Sequence, residues 1–319
     1  MKSSTKHLLD RVSQDSIKAW LKTKDLKSTF DNRTSLITLL SELIDSDEIS
    51  EAELIVAIAR IEEYSGHTIY FFQCDSSLNS VEDFKNHMKN EKIKYVNIAE
   101  PALLKPEHPK VNYASYDEIS NCIYVKFTET QIKVKYDAEN NSYTRIPVTK
   151  VNVISLNLKT GVVSLRLNKP ERVHSHKKNG RSSKNQYMDY YKAKATKLFK
   201  FKRYEAFDLF ILINNLESKP DVFRLKNSDV VSDDLGGGKF YTSSKGTDVR
   251  DTAMYELMNE KLQDEIIVSQ IKGYILKSDE NGTKISRDIY VTLDGKASTL
   301  TYLSDCLPIE IEYALSFSK

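Results

Sequence analysis

A glycine-rich segment, Asp233-Asp-Leu-Gly-Gly-Gly-Lys-Phe240, is the first place in the sequence where residue types and spacing suggest chemistry. A phosphate-binding loop of the GxxxxGK[ST] type needs a glycine at its first position and a hydroxyl group after its lysine. Here Asp233 stands at the first position, and Phe240 follows Lys239. Because the motif fails at both places, we interpret the segment as a flexible loop.

Two histidines raise the question of a metal site. His174 and His176 can face the same side of a strand, but no second ligand pair follows at a usable spacing. The neighbouring lysines and arginines would also repel a cation. The sequence therefore predicts no metal ligand and no cofactor.

Acidic residues near predicted strands leave one enzymatic alternative open, a metal-dependent nuclease, which needs paired acids and a lysine. The weak candidates are Asp288 with Asp294 and Lys296, and Asp233 and Asp234 with Lys239. Asp294-Gly295 is already explained as a hairpin turn. We therefore assign no catalytic residue and expect a binding protein rather than an enzyme.

The strongest signal is the basic segment, residues 166–203. It contains thirteen Lys or Arg residues against Glu171 and Asp189, a local charge of +11 in a chain whose total is +2. Such clusters neutralise phosphates and release counterions, which supplies most non-specific affinity for nucleic acid. Together with Arg33, discussed below, the predicted nucleic-acid-binding residues are Lys177, Lys178, Arg181, Lys184, Lys192, Lys194, Lys197, Lys200, Lys202 and Arg203.

Aromatic residues alternate with the charges in the second half of the basic segment. They are Tyr187, Tyr190, Tyr191, Phe199, Phe201 and Tyr204. Such rings can stack on exposed bases, or they can pack inward from a surface helix. An acidic protein partner and plain solvation are the other interpretations of the charge.

Composition indicates a globular intracellular protein. The three cysteines, Cys74, Cys122 and Cys306, are widely spaced and predict free thiols rather than a disulfide framework. No apolar run follows the N-terminal residues, and Phe207 to Leu212 is too short to cross a bilayer. We expect a cytoplasmic or nuclear location and no membrane insertion.

Hydrophobic periodicity predicts an α+β fold, with a small N-terminal helical bundle followed by a largely antiparallel β-rich body with inserted helices. Residues 1–66 show four short helices, one opened by the capping box Ser50 to Glu53. Three prolines between 101 and 109 indicate a linker, so we divide the chain into domains at 1–100 and 111–319.

The body shows alternating strands and hairpins. Residues 123–127 and 132–136 alternate as two half-buried strands. Lys159-Thr-Gly161 and Asp294-Gly295 mark hairpins, and residues 187–216 and 247–264 indicate helices.

The stretch from Ile17-Lys-Ala-Trp-Leu to Leu26, followed by Asp31 to Leu40, resembles a SAP module, a helix–link–helix unit used on DNA. In this resemblance Arg33 stands near the start of the second helix, although Lys27-Ser-Thr-Phe30 replaces the glycine common in the link. Arg33, with Lys24 and Lys27, would then face phosphates. The order of parts is also similar to that of centromere protein N. Trp20 is expected in the core of this module.

The sequence thus favours a non-catalytic nucleic-acid-binding protein, with DNA preferred. One alternative is a metal-dependent nuclease or other nucleic-acid effector. A second is a protein-interaction subunit of a larger assembly, for which the acidic helix at 42–63 offers a contact surface.

Overall fold

The computed structural model describes residues 1–64, 67–76, 78, 80–101, 106–118, 120–137, 139–169, 183–232, 236–243, 246–262, 267–280, 283–302 and 306–317. These residues form two compact units. The first unit comprises 1–11, 40–63 and 67–205, and the second comprises 12–39, 64–66 and 206–319. Each unit draws on both sides of residue 101, and the division at 1–100 and 111–319 stays a prediction.

Four helices occupy the N-terminal region, as predicted. They are α1 (Ser3–Leu9), α2 (Gln14–Thr23), α3 (Arg33–Asp45) and α4 (Glu51–Tyr64). The capping box is confirmed, because Glu53 N–H donates to Ser50 Oγ at 3.1 Å while Ser50 N–H donates to Glu53 Oε2 at 3.4 Å. Helix α2 belongs to the second unit and α4 to the first.

The first unit is built on antiparallel strands in the order β2-β3-β4-β5-β1, with β6 also pairing with β1. The strands are β1 (His67–Ser76), β2 (Lys110–Asp117), β3 (Cys122–Asp137), β4 (Ser142–Asn157), β5 (Val162–Asn168) and β6 (Phe201–Ala206). Helices α5 (Val81–Asn90) and α6 (Ser183–Phe199) complete the unit. Ser80 Oγ caps α5 by accepting Asp83 N–H at 3.1 Å.

Both faces of this sheet are covered near its centre. Phe127 on β3 packs in one core cluster with Phe84 of α5 and Phe199 of α6, while Lys126 on the opposite face bonds to α4. Burying each large apolar side chain contributes about 1.5–3 kcal/mol. Residues 122–137 form one continuous strand, so the expectation of two strands at 123–127 and 132–136 is wrong.

The second unit contains strands in the antiparallel order β13-β12-β9-β7-β8. They are β7 (Phe223–Ser232), β8 (Gly236–Tyr241), β9 (Ile267–Ile275), β12 (Ile289–Asp294) and β13 (Thr299–Tyr302), and β10 (Ser278–Glu280) pairs separately with β11 (Thr283–Ile285). Helices α7 (Phe210–Glu217), α8 (Ala253–Leu262) and α9 (Pro308–Ser316) accompany α2 and a 3-10 turn at Val249–Asp251.

The α+β class with a large antiparallel sheet is confirmed, and both predicted hairpins are present as β4–β5 and β12–β13. Two local expectations are wrong. The helix predicted over 187–216 is interrupted by β6, which carries Lys202 and Arg203. Gly236 to Gly238 pair with β7 as part of a strand rather than forming a flexible loop.

Candidate nucleic-acid interface

Helix α6 directs its aromatic side chains into the core of the first unit. Tyr191 and Phe199 are fully buried, and Phe201 at the start of β6 joins the same cluster. Tyr187 and Tyr190 pack against that cluster from its edge. The inward-packing interpretation is therefore correct for these five rings, and the three buried ones, Tyr191, Phe199 and Phe201, have no face free for a base.

The predicted basic residues of α6 and β6 lie outside this core. Lys197, Lys200, Lys202 and Arg203 are exposed, and Lys194 is half-buried with its Nζ 5.3 Å from the centre of the Tyr190 ring. Lys197 Nζ lies 2.8 Å from Glu91 Oε2, and this bond lowers the pKa of the Glu91 carboxyl group. One cation of the set is thus partly neutralised by α5.

Lys192 differs from its neighbours because its amine lies over two rings. The Nζ atom is 4.3 Å from the centre of the Phe72 ring and 5.0 Å from that of Tyr204. Burial lowers the pKa of Lys192. Tyr204 remains 47% exposed, so this cation–ring contact leaves one ring at the surface directly after the basic segment.

Lys177, Lys178 and Arg181 lie outside the described residues, and for Lys184 the structure describes the backbone alone, in α6. The described residues before this part of the basic segment end at Lys169, directly after β5. They resume at Ser183, where α6 begins.

Asn152 on β4 connects these two ends. Its Oδ1 accepts the backbone N–H of Asn168 at 2.7 Å, and its Nδ2 donates to the Tyr191 hydroxyl at 2.8 Å. The Asn168 side chain in turn donates to the carbonyl of Val151 at 2.6 Å. Asn168, which lies before residues 169–182, and α6, which follows them, are therefore both held by Asn152 of β4.

Glu129 on β3 lies beside Asn152 in a buried polar cluster. Its Oε1 accepts hydrogen bonds from the Asn152 amide at 3.1 Å, from the Gln131 amide at 3.1 Å and from the Tyr187 hydroxyl. Burial raises the pKa of Glu129 in spite of these donors. This cluster fixes the N-terminal half of α6 against β3 and β4.

Beyond this cluster, β3 and β4 continue as an exposed two-stranded ribbon, residues 131–148. Cross-strand pairs show that its two faces differ, because one face joins Tyr136 to Tyr143, with ring centres 5.1 Å apart, and the other joins Lys133 to Ile146. The first face also carries Ile132, Val134 and Arg145, and the second also carries Lys135. The sequence signal was the Ile-Lys-Val-Lys-Tyr alternation, but a ribbon extending past the sheet was not expected.

Arg166, at the start of the basic segment, does not belong to this surface. It is buried in β5, with its guanidinium group 5.3 Å from the centre of the Tyr124 ring. The exposed cations of the basic segment therefore begin after β5.

Arg33, the residue taken from the SAP resemblance, belongs to the second unit, whereas α6 belongs to the first. Its Nη2 donates to the Val12 carbonyl at 3.3 Å. Trp20 is half-buried, while Ile17 and Leu21 on the same helix are fully buried. The expectation that Trp20 fills the core is wrong, because the helix turns Ile17 and Leu21 inward.

The acidic stretch at 42–63 is not one helix and is not uniformly exposed. It covers the end of α3 and most of α4, and Glu62 and Glu63 are buried. Lys126 Nζ lies 3.2 Å from Glu62 Oε2 and 3.7 Å from Glu63 Oε1. These two acids hold α4 on the sheet, which corrects their assignment to a partner surface. The exposed acids of the stretch are Glu42, Asp45, Asp47, Glu48 and Glu53.

The acids considered for catalysis have structural partners. Asp294 accepts Ala297 N–H at 2.9 Å within the β12–β13 turn, and Asp288 accepts Lys277 N–H at 3.1 Å. His174, His176, Asp233 and Asp234 lie outside the described residues.

Among the described residues, no three His, Cys, Asp or Glu side chains come together as a metal site would require, and no helix is long and apolar enough to cross a membrane. The comparisons with known proteins add no relative, because the chain matches no family model and no curated protein.

Proposed function

We propose that this chain is a non-catalytic nucleic-acid-binding protein, and that the first unit binds DNA through a basic surface. The basic surface comprises residues 169–184 and the cations Lys194, Lys197, Lys200, Lys202 and Arg203. The observation that carries the proposal is the division of α6, which buries Tyr191 and Phe199 and leaves its cations outside.

The charge of the segment between β5 and α6 supports this proposal. Residues 169–184 contain six Lys or Arg residues and one Glu, a net charge of +5. Asn152 holds Asn168 on one side of the segment and Tyr191 on the other. A segment of this charge supplies the cations that neutralise phosphates.

The ribbon favours double-stranded DNA as the partner. The major groove of B-DNA admits a two-stranded β-ribbon, whereas the major groove of A-form RNA is too deep and narrow for side chains to read. Lys133 and Lys135 occupy one ribbon face, and Arg145 occupies the other. Cations on both faces could meet the phosphates on either side of a groove.

Charge reversal tests the proposal most simply. We expect replacement of Lys177, Lys178, Arg181 and Lys184 by Glu to weaken binding to a labelled DNA duplex by about 100-fold or more at about 50 mM salt. The matched control reverses four exposed lysines elsewhere, namely Lys6, Lys22, Lys219 and Lys296. Equal weakening by the two variants would attribute binding to net charge alone and contradict the proposed surface.

A protein-interaction role is the second candidate, because the ribbon exposes apolar side chains. Ile132 is 44% exposed and Tyr143 is 71% exposed. Exposed apolar groups of this kind mark contact surfaces. Replacing Ile132 and Val134 by Ser separates the candidates, since a protein-docking ribbon predicts unchanged DNA affinity and a groove-binding ribbon predicts weaker binding.

A plasmid-cleavage assay distinguishes the nuclease alternative from DNA binding without catalysis. Incubation of the full-length protein with supercoiled plasmid and Mg²⁺ should leave the plasmid intact while the duplex is bound. Nicking that requires the metal and is abolished by Asp288→Ala would replace the binding proposal by the nuclease.

A further inference from the structure

The sheet of the second unit has one covered face and one open face. Ile271 and Ile275 on β9 are fully buried, and α7 packs against this strand. Lys272 and Tyr274, which alternate with them, are half-buried. Because successive side chains of a strand point to opposite faces, the open face can be read from the strand pairing.

An aromatic and cationic row crosses this open face. Tyr274 is the cross-strand partner of Tyr290 on β12 and of Arg224 on β7. The Tyr274 and Tyr290 ring centres are 5.0 Å apart, at an interplanar angle of 73°. The Arg224 guanidinium group lies 5.8 Å from the centre of the Tyr274 ring.

A second row lies directly beside the first. Asn227 on β7 pairs with Lys272 on β9 and with Tyr241 on β8. The Tyr241 side chain is 72% exposed. Asn227 Oδ1 is buried and has no hydrogen-bond partner among the residues that the structure describes. Asn227 thus places an amide with an unsatisfied oxygen between a cation and an aromatic ring.

Tyr274 and Tyr290 of the first row and Asn227 and Tyr241 of the second line a cavity of about 470 Å³. Its other lining residues are Lys226, Lys239, Thr242 and Ser243. Binding sites for small organic groups occupy about 300–1,000 Å³, so the cavity has room for a nucleobase and its sugar.

Fixed contacts hold Lys226 and Lys239 at this cavity and Arg224 in the first row. Lys239 Nζ lies 3.2 Å from Asp229 Oδ1, and Arg224 Nη2 lies 3.4 Å from Asp288 Oδ2. The Lys239 side chain remains 51% exposed in its ion pair. Lys226 Nζ donates to the Thr247 carbonyl at 2.8 Å. Positive groups next to one exposed ring, Tyr241, and two half-buried rings are complementary to phosphates next to bases.

We propose that the open face of β12-β9-β7-β8 binds single-stranded nucleic acid, with bases on Tyr241, Tyr274 and Tyr290 and phosphates on Arg224, Lys239 and Lys272. Asn227 would hydrogen-bond the edge of a base. Rings on a sheet face can stack only on bases that are not already stacked in a duplex. The proposal concerns the second unit and does not rest on the basic surface of the first.

The test uses full-length protein that already carries Glu at residues 177, 178, 181 and 184, so that the first unit contributes little binding. The probes are a labelled oligothymidylate of about 12 nucleotides, within the range of known single-strand sites, and a labelled duplex. We expect Tyr241→Ala, and separately Tyr274→Ala with Tyr290→Ala, to weaken single-strand binding about 10-fold per ring.

Conservative variants supply the control for folding. Tyr274→Phe and Tyr290→Phe keep the rings and should keep the single-strand affinity, and Tyr241→Ala removes a side chain too exposed to support the fold. Single-strand affinity that survives all the alanine variants overturns the proposal. Equal loss of duplex and single-strand binding also overturns it.

Thymidine monophosphate distinguishes a strand from a free nucleotide. We expect the mononucleotide to compete for the site at least about 100-fold less well than the oligonucleotide, since it can occupy one ring and one cation at most. Competition as strong as that of the oligonucleotide would identify a nucleotide pocket instead. If the basic surface of the first unit does not bind DNA, its charge reversal will leave duplex binding unchanged. That outcome can be distinguished from a loss of single-strand binding in the second unit.

Discussion

Asn152 Nδ2 donates a hydrogen bond to the Tyr191 hydroxyl at 2.8 Å, and through it β4 holds α6, the helical part of the basic segment. Asn152→Ala leaves the Tyr191 hydroxyl and the Asn168 N–H without this partner, which should cost about 1–3 kcal/mol of stability. We also expect weaker DNA binding at unchanged net charge, measured by anisotropy. Asn214→Ala, at an exposed position of α7, is the control and should change neither quantity. Wild-type DNA affinity in folded Asn152→Ala would remove the anchoring role.

The buried ion pair between Lys126 and Glu62 should contribute strongly to the free energy of unfolding of the first unit. Lys126→Ala removes the buried cation and leaves Glu62 with Arg11 and Glu63 with Arg60, both more exposed, so we expect a loss of up to about 3–5 kcal/mol in chemical denaturation. Lys94→Ala is the control, because the Lys94–Glu100 pair is exposed at 59% and 43% and should contribute about 0–1 kcal/mol. Similar losses in the two variants would mean that the Lys126 network is not energetically important.

Glu129 predicts a particular pH dependence. Burial raises its pKa above the ordinary value of 4.5, so the folded protein binds this proton more tightly than the unfolded chain. The resulting stability is fully present below that value and is lost as the pH rises through the higher folded pKa. Glu129→Gln retains a carbonyl acceptor and removes the titration. The stability of the wild type relative to Glu129→Gln should therefore fall as the pH increases above about 4.5. A difference independent of pH in urea denaturation would contradict this.

Helix α2 should depend more on its aliphatic residues than on its tryptophan. Leu21 is fully buried, so Leu21→Ala should cost about 2–5 kcal/mol. Trp20 is half-buried with Lys24 Nζ 5.7 Å from its ring centre, so Trp20→Ala should cost less than Leu21→Ala. Thermal unfolding measures both changes. A larger loss for Trp20→Ala would restore the expectation of a tryptophan-centred core.

Local signals in the sequence were sufficient for the elements that local chemistry specifies. The Ser50–Glu53 capping box and the Asp294-Gly295 turn depend on neighbours in the chain, and the structure confirms both. The α+β class follows from the same kind of evidence, because the periods of helices and strands are local properties.

The sequence could not show which polar residues are buried. Lys126 alternates with apolar neighbours as an exposed residue of a half-buried strand would, but α4 covers that face and pairs it with Glu62. Likewise, the rings of Tyr191 and Phe199 stand among lysines in sequence, and tertiary packing alone directs them inward. The aromatic face of the second unit could not be predicted either, because it depends on the pairing of β9 with β12. That pairing brings Tyr274 next to Tyr290, sixteen residues away in the sequence.

The salt dependence of DNA binding tests the central proposal most directly. The logarithm of the binding constant should fall linearly with the logarithm of salt concentration, with a slope of about −4 or steeper for the wild type. Reversal of Lys177, Lys178, Arg181 and Lys184 should reduce the magnitude of that slope by about 3–4, because each lost phosphate contact removes about one counterion. A slope near zero, or the same slope in the wild type and the variant, would contradict DNA binding through the basic surface.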